Sequence, residues 1–199
     1  VANTDTGGVS ASGSWNAFMR TAYATQKLNG DEAVWFKLAS TTSTMVVGLC
    51  KEPGPAGHYN HIEYGLLVHK LSGESKCQAY VYYPGASSYY SPGSATKVST
   101  TVKPTVKYLL GDFDETTQFG FTRKDGKITL WMDGVPMFVY GQAETSPLVF
   151  DVEFGSTTGG GLSECVQIKR SQEAEQQDLL PDEWELAAPC TMPLVSNFA

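Results

Sequence analysis

Several features that mark common protein classes are scarce or missing in this sequence. Only 18% of the 199 residues are charged, and the 14 basic residues form no cluster of the kind that nucleic-acid binding requires. No apolar run is long enough to cross a membrane. The sequence also lacks an HExxH helix, a G-x-S-x-G elbow and a Walker phosphate loop. These absences argue against nucleic-acid binding, a membrane span, nucleophilic catalysis and nucleotide binding.

The net charge of −7 is concentrated near the C-terminus. Residues 171–185 hold six acidic residues and no basic one, and the rest of the chain has 14 basic against 15 acidic residues. Ser171 as N-cap, acidic residues in the first turn and Pro181 as a stop predict a short helix. The segment also contains apolar side chains that predict docking on this domain or on a neighbouring copy, namely Leu179, Leu180, Trp184 and Leu186.

The four cysteines are spaced too widely for a zinc site or a CxxC redox motif. An even count in a β-rich chain favours two disulfides in an oxidising compartment. Three pairings are possible, and we predict Cys50–Cys77 and Cys165–Cys190. The alternative is four buried thiols in a cytosolic protein. The first residues, VANTDTGG, suit a mature chain after removal of a signal peptide, or an internal boundary. We therefore expect a secreted, extracellular protein.

The clearest local pattern lies in residues 119–140. Asp125-Gly126 and Asp133-Gly134 are strong hairpin signals, because a type I′ turn requires positive φ at both central residues. Apolar residues alternate with polar ones along the segments on both sides of each turn. This stretch predicts a three-stranded antiparallel meander, with Pro136 at an edge or a bulge because proline has no ladder N–H.

About ten short strand patterns, separated by turns rich in Gly and Pro, predict an all-β fold. Their regular spacing favours an antiparallel β-sandwich or jelly roll with a short helical or extended C-terminal tail. We predict a loose lead-in at residues 1–14, the sandwich domain at 15–170 and the tail at 171–199.

Four stretches together resemble a known group of secreted modules. They are GDEAVWFKL, TMVVGL, IEYGLLVHKLSGE and FGFTRKDGKITLWMDGVPMF. The series is similar to the concanavalin A-like lectin/glucanase superfamily, which includes laminin G-like and SPRY-type sandwiches, and it covers about residues 30–155. The resemblance implies a β-sandwich. It also implies that an enzyme of this group would carry acids along one strand, in a Glu-x-Asp-x-(x-)Glu pattern.

The nearest match to that acidic pattern lies in VFDVEFG. Alternation places Asp151 and Glu153 on one face of a strand, about 6.6 Å apart by strand rise. That separation is compatible with the carboxyl pairs of glycosidases. The third acid is missing, because Val149 and Gly155 occupy the neighbouring positions on that face. The alternative interpretation is two carboxylates on a solvated sheet face.

Two groups of residues suggest metal binding. His58 and His61 in GHYNH, with His69 further on, could supply imidazole ligands. Asp112 and Asp114 in GDFDETT could bind Ca²⁺. Surface histidines and an acidic turn are the simpler interpretations. We therefore predict no required cofactor and keep calcium as a candidate.

Tyrosines crowd the stretch YVYYPGASSYY. Their flat apolar faces and polar tips suit sugar rings or a protein partner, although the strand tyrosines could instead fill space in a sheet. We predict a non-catalytic, lectin-like module that recognises a glycan or a cell-surface glycoprotein, with the contact residues Tyr82, Tyr83, Tyr89 and Tyr90. One alternative is a structural subunit of an extracellular assembly that self-associates through residues 171–199. The other is a glycan-cleaving enzyme, a hydrolase or lyase that uses Asp151 and Glu153.

Overall fold

Every regular element in the described part of the protein is a β-strand. The computed structural model describes residues 7–11, 20–38, 45–53, 61–69, 77–82, 109–140, 143–154, 160–169, 185–189 and 194–196. Within these ranges, no helix has the length and apolarity needed to cross a membrane. The prediction of an all-β chain is confirmed.

Fourteen strands are formed within the described residues. In chain order they are β1 Gly7–Ala11, β2 Arg20–Leu28, β3 Glu32–Leu38, β4 Met45–Cys50, β5 Tyr64–His69, β6 Cys77–Tyr82, β7 Leu109–Phe113, β8 Gln118–Lys124, β9 Lys127–Met132, β10 Val135–Tyr140, β11 Leu148–Phe154, β12 Gly160–Lys169, β13 Glu185–Pro189 and β14 Leu194–Ser196.

The strands pair into two seven-stranded antiparallel sheets. Sheet A has the order β1-β12-β3-β8-β9-β10, and β13 also pairs with β12. Sheet B has the order β14-β2-β11-β4-β5-β6-β7. Alternate side chains of the two sheets face each other and form one shared core, which is the arrangement of a sandwich. The predicted antiparallel β-sandwich is confirmed.

Aromatic rings join the two sheets at the centre of the core. Phe36 of sheet A stacks on Phe119 and Phe121, with ring centroids 5.8 and 6.0 Å apart. It also meets Phe150 of sheet B at 5.2 Å. All four rings are buried. The contact with Phe150 joins β11 to sheet A, and pairing with β2 and β4 sets the place of β11 within sheet B. Strand β11 carries the acidic residues considered below.

The predicted meander is present as β8, β9 and β10. Asp125 and Asp133 both have φ of 50°, and the glycines that follow them have φ of 73° and 74°. These positive values confirm the two tight turns. Strand β10 is an edge strand, and its register with β9 shifts between Pro136 and Phe138. The proline therefore lies at an edge and beside a bulge, as predicted.

Arg123 of β8 links the two sheets at one end of the sandwich. Its side chain is buried, with 2% of the residue exposed. The guanidinium donates three hydrogen bonds to backbone carbonyls, those of Gly30 at 2.6 Å, Ser146 at 2.7 Å and Leu28 at 2.9 Å. The planar fork of arginine suits this arrangement, because several donors leave it in set directions. Arg123 thus joins β8 to the β2–β3 turn and to the segment before β11.

Glu144 is a second polar junction, just before β11. Its carboxylate pairs with the Lys51 ammonium at 2.9 Å and accepts hydrogen bonds from the Ser146 amide at 2.7 Å and the Tyr64 hydroxyl at 3.3 Å. Burial raises the pKa of Glu144, but the hydrogen bonds from Lys51 and Ser146 outweigh that effect, and the pKa falls to about 2. The ionised carboxylate therefore ties the start of β5 to the segment before β11.

Both ends of the chain add strands to the two sheets. Residues 1–14 were expected to be loose, but Gly7–Ala11 form β1 and pair with β12. In the C-terminal tail, β13 pairs with β12 and β14 pairs with β2. These two tail segments therefore dock on their own domain and extend the sandwich past residue 170. The predicted helix at 171–180 lies outside the described residues.

The predicted disulfides are not formed in the described part of the chain, where Cys50 and Cys165 are buried thiols. The Cys50–Cys77 pairing is wrong for a topological reason. Met45, Val68 and Ala79 lie side by side across three strands, with Cys50 five positions to one side of this row and Cys77 two positions to the other. Seven positions span about 24 Å, whereas a disulfide needs Cα atoms within about 7 Å. Cys190, the predicted partner of Cys165, lies outside the described residues.

Candidate functional site

Two carboxylates lie on the outer face of sheet B, the face turned away from sheet A. Along β11, Phe150, Val152 and Phe154 belong to the shared core. Alternation therefore turns Asp151 and Glu153 to the outer face, as predicted. Both residues are 0% exposed, so the expectation of a solvated sheet face is wrong. Burying two neighbouring carboxylates is costly unless other groups compensate their charge.

Strand β4 adds a thiol beside these acids. Cys50 pairs with Val149 of β11 in the sheet register. Its Sγ lies 3.7 Å from Asp151 Oδ2 and 3.7 Å from the Val149 carbonyl oxygen. Burial, and next the charge of Asp151, raise the pKa of the Cys50 thiol well above its ordinary value. The thiol is therefore protonated at neutral pH, and in that state it is a poor nucleophile.

His61 brings an imidazole to the same place. Its Nε2 lies 2.9 Å from Asp151 Oδ2 and 3.7 Å from Glu153 Oε1. The histidine side chain is 17% exposed, which makes it the accessible member of the group. Together, Cys50, His61, Asp151 and Glu153 form what we call the outer-face cluster.

Two glycines allow the histidine to reach β11. Gly48 of β4 lies opposite Asp151 on one side and Gly65 on the other. A Cβ on Gly48 would lie 2.2 Å from the Tyr64 carbonyl oxygen and 2.8 Å from the Ile62 side chain. Because glycine has no Cβ, the segment that leads into β5 can lie directly on the sheet. Ile62 packs against this surface, and His61 beside it faces Asp151.

The two carboxylates are close enough to act on one small group. Both lie beside His61 Nε2, at 2.9 and 3.7 Å, so the two oxygen atoms are no more than 6.6 Å apart. This limit includes the separation typical of retaining glycosidases, about 5–5.5 Å, and the lower end of the inverting range, about 6.5–9.5 Å. The position of a third acid is occupied by Val149, which is buried. The site therefore offers two carboxylates and one imidazole.

The predicted tyrosine surface is not brought to the outer-face cluster in the described residues. Tyr82 is 2% exposed and belongs to a small apolar cluster with Val46 and Ile62. Its ring therefore fills space above sheet B, and the contact of Tyr82 with a ligand stays a prediction. Tyr83, Tyr89 and Tyr90 lie outside the described residues.

The structure describes the acidic turn proposed for Ca²⁺ and one of the three histidine side chains proposed as metal ligands. Asp114 caps the turn after β7, since it accepts hydrogen bonds from the Thr116 amide and hydroxyl at 2.8 and 2.6 Å. These bonds lower the pKa of the exposed Asp114 carboxyl. Asp112 is an exposed residue of β7. The turn interpretation thus accounts for Asp114. Of the predicted histidines, His61 joins the outer-face cluster, whereas His58 and the side chain of His69 lie outside the described residues.

Sequence reasoning found the two acids but missed their partners. Cys50 was assigned to a disulfide, and His61 was grouped only with the other histidines. The contacts join residues 90 and 101 positions apart in the chain, so no local spacing reveals them. A correct pairing of β4 with β11 would have placed Cys50 beside Asp151.

Comparisons with known proteins give distant structural similarities. Neither a protein-family model nor a curated protein matches the chain. Among solved structures, a SAP-like pentraxin from Limulus polyphemus is 10% identical and covers 95% of this chain and 94% of its own, with a TM-score of 0.46. A Bacillus licheniformis β-glucanase is 13% identical over 85% of this chain and 95% of its own, with a TM-score of 0.43.

A third similar structure is the catalytic domain of an endo-1,3-β-glucanase, a laminarinase, from Thermotoga petrophila RKU-1. It is 9% identical over 72% of this chain and 73% of its own, with a TM-score of 0.33. These identities and TM-scores concern the fold, and the activities of those proteins do not transfer to this one. The described strands themselves establish the fold, which is two antiparallel sheets packed as a sandwich.

Proposed function

We propose that this chain is a lectin-like, carbohydrate-binding β-sandwich whose ligand is held at the outer-face cluster. The observation that carries the proposal is the placement of two fully buried carboxylates on the outward side of a central strand, where an ordinary sheet would bury apolar residues. Local departures of this kind are expected at functional sites, where stability is given up for binding. His61 is the accessible member through which a ligand would approach.

The chemistry of the cluster suits a saccharide. Sugar hydroxyl groups donate hydrogen bonds, and ionised carboxylates accept them. The imidazole of His61 either donates or accepts, depending on its tautomer, so it can match a hydroxyl in both roles. A few convergent polar groups that set orientation beside an apolar wall are typical of small-ligand sites. Here the wall is supplied by Ile62, which follows His61 and packs against Gly48.

Cleavage of a glycan at the same residues is the second candidate. It is favoured by the separation of the carboxyl oxygens, at most 6.6 Å, which suits an acid and a nucleophile or base. In that case Asp151 and Glu153 would share the two roles, with His61 orienting Asp151. The assembly-subunit hypothesis is weakened, because β13 and β14 dock on their own domain. An extracellular location stays a prediction.

A glycan array with matched variants tests the proposal. Wild type, Glu153→Gln and Asp151→Asn would be compared in calcium and then in chelator, with Glu164→Gln as control. Glu164 is a partly exposed residue of β12 that pairs with Lys37 at 3.1 Å, and it lies in the other sheet from the cluster. We expect both cluster variants to lose at least about tenfold in affinity, since a charge-assisted hydrogen bond disappears. The control should bind like wild type.

The outcomes separate binding from cleavage. Wild type that binds no glycan, or cluster variants that bind like the control while wild type cleaves nothing, would overturn the proposed site. Release of reducing ends by wild type but not by Glu153→Gln, with binding retained in the variant, would favour the enzyme. The variants Tyr89→Ala and Tyr90→Ala, on the same array, test the remaining tyrosine prediction. Far-ultraviolet circular dichroism of each variant confirms that loss of binding is not loss of fold.

A further inference from the structure

We propose that Cys50, His61 and Asp151 form a binding site for a divalent transition-metal ion of the zinc type. Each residue offers one ligand atom, and the three atoms all lie within 4.8 Å of one another. Two of the three residues are fully buried and the third is mostly buried. The described residues contain no other group of three such ligands at this spacing.

The distances are close to those of a tetrahedral site. Zinc binds thiolate at about 2.3 Å and imidazole or carboxylate at about 2.0–2.2 Å. Tetrahedral angles then place neighbouring ligand atoms about 3.3–3.6 Å apart. The observed separations are 2.9 Å between His61 Nε2 and Asp151 Oδ2, and 3.7 Å between Cys50 Sγ and the same oxygen. Side-chain movements well below 1 Å would bring these atoms to the expected spacing.

The ligand set selects a class of metal. Thiolate and imidazole prefer zinc and neighbouring transition metals, whereas Ca²⁺ and Mg²⁺ prefer an all-oxygen shell. Glu153 is the natural candidate for a fourth ligand, because its Oε1 lies 3.7 Å from His61 Nε2. If Glu153 stays outside the shell, the fourth position is open to water or to a ligand, as in catalytic zinc sites.

Charge and rigidity support the same assignment. Once the thiol is deprotonated, the cluster carries one thiolate and two carboxylates, and a dication would offset most of this negative charge. Binding would release the thiol proton of Cys50 to solvent as the sulfur–metal bond forms. The ligands come from β4, from β11 and from the residues just before β5, which hydrogen bonds join in one sheet. Such a frame holds ligands more precisely than a loop.

This inference does not rest on the proposed function. It concerns metal ions alone, whereas carbohydrate binding is scored on the array, so either can fail while the other holds. Residues His61 and Asp151 belong to both sites. A bound metal would therefore change glycan affinity, and that effect can be measured once each property has been scored by itself.

Cobalt substitution of the full chain, under reducing conditions, tests the metal site. Co²⁺ in a tetrahedral site with a cysteine ligand gives intense visible bands and a thiolate charge-transfer band in the near ultraviolet. We expect one Co²⁺ per chain with both signatures, displacement by Zn²⁺, and no displacement by Ca²⁺. A saturating Zn²⁺ concentration should raise the thermal midpoint by about 5 °C or more, since the metal binds the folded state.

Matched cysteine variants locate the site. Cys50→Ser should abolish the charge-transfer band, whereas Cys165→Ser should keep it, because Cys165 is a buried cysteine of the other sheet. Asp151→Asn serves as a second variant in case Cys50→Ser does not fold, and it should weaken Co²⁺ binding at least about tenfold. Absence of the thiolate band in folded wild type would overturn the proposal. Its persistence in Cys50→Ser, or its loss in Cys165→Ser, would do the same.

Discussion

Arg123 and the outer-face cluster are both built from buried ionisable side chains, but their partners differ. The single positive charge of Arg123 meets three backbone carbonyls at 2.6–2.9 Å. In the outer-face cluster, two carboxylates and a thiol gather around one imidazole. The first arrangement supplies several partners for one charge, and the second places like charges together.

This difference separates a structural role from a functional one. Three carbonyl groups from two segments around Arg123 lose their donor if the guanidinium is removed, so the residue contributes to folding. Two neighbouring carboxylates that are both fully buried are costly to place in a fold unless positive charge or hydrogen-bond donors lie beside them. A ligand or cation that brings positive charge to such a group would offset part of this cost. Three substitutions test this comparison directly.

The largest effect is expected at Arg123. Arg123→Met keeps much of the buried stem but removes every donor, which leaves three carbonyl groups without their partner. We expect the free energy of unfolding to fall by about 3 kcal/mol. Chemical denaturation with constant m-value measures the change. The exposed Lys127 on the neighbouring strand provides the control, Lys127→Met, with little expected effect. Equal stability of the two variants would show that Arg123 is dispensable.

A smaller and pH-dependent effect is expected at Glu144. Its pKa in the folded protein is about 2, below the ordinary value of 4.5. The contribution of this carboxylate to stability is therefore fully present above pH 4.5, and it is lost as pH falls towards 2. Glu144→Gln should lower the free energy of unfolding by about 2 kcal/mol at pH 7.

Denaturation curves across a pH series check both the size and the sign of this effect. The difference between wild type and Glu144→Gln should shrink steadily between pH 4.5 and pH 2, where wild type also becomes neutral at this position. Glu115→Gln, a change at an exposed turn residue, is the matched control and should show little difference at pH 7. A constant difference at all pH values would mean that the charge of Glu144 is not what stabilises the junction.

The sequence predicts the local parts of this structure better than the distant contacts. Asp125-Gly126 and Asp133-Gly134 determine their own turns, because the positive φ requirement is met within each pair. Alternation along β11 likewise separates the core residue Val152 from Asp151 and Glu153. Strands β1 and β13 were missed, because their short segments pair with β12 from the two ends of the chain.

In the candidate site, too, the sequence predicts the local features and not the contacts between distant residues. The side of the strand taken by Asp151 follows from its neighbours, but its burial depends on His61 and on the segment that Gly48 allows onto the sheet. The role of Cys50 depends on the register of β4, β5 and β6. That register places Cys50 and Cys77 far apart along the strand direction of sheet B. Sequence spacing contains no direct information about such long-range neighbours, so a disulfide was predicted where a thiol lies beside a carboxylate.

The smallest expected effect has the opposite sign and lies in the outer-face cluster. Glu153→Gln removes one of two buried carboxylates whose oxygens are at most 6.6 Å apart, while it keeps the shape of the side chain. With chelator present, we expect the free energy of unfolding to rise by about 1 kcal/mol, because repulsion and desolvation of charge are relieved. Thermal and chemical denaturation would measure the rise, with Glu164→Gln, a change at a partly exposed residue of the other sheet, as the control. A loss of stability of the size expected at Glu144 would show that the cluster is a structural ion pair like the Glu144 junction, and the contrast with Arg123 would no longer hold.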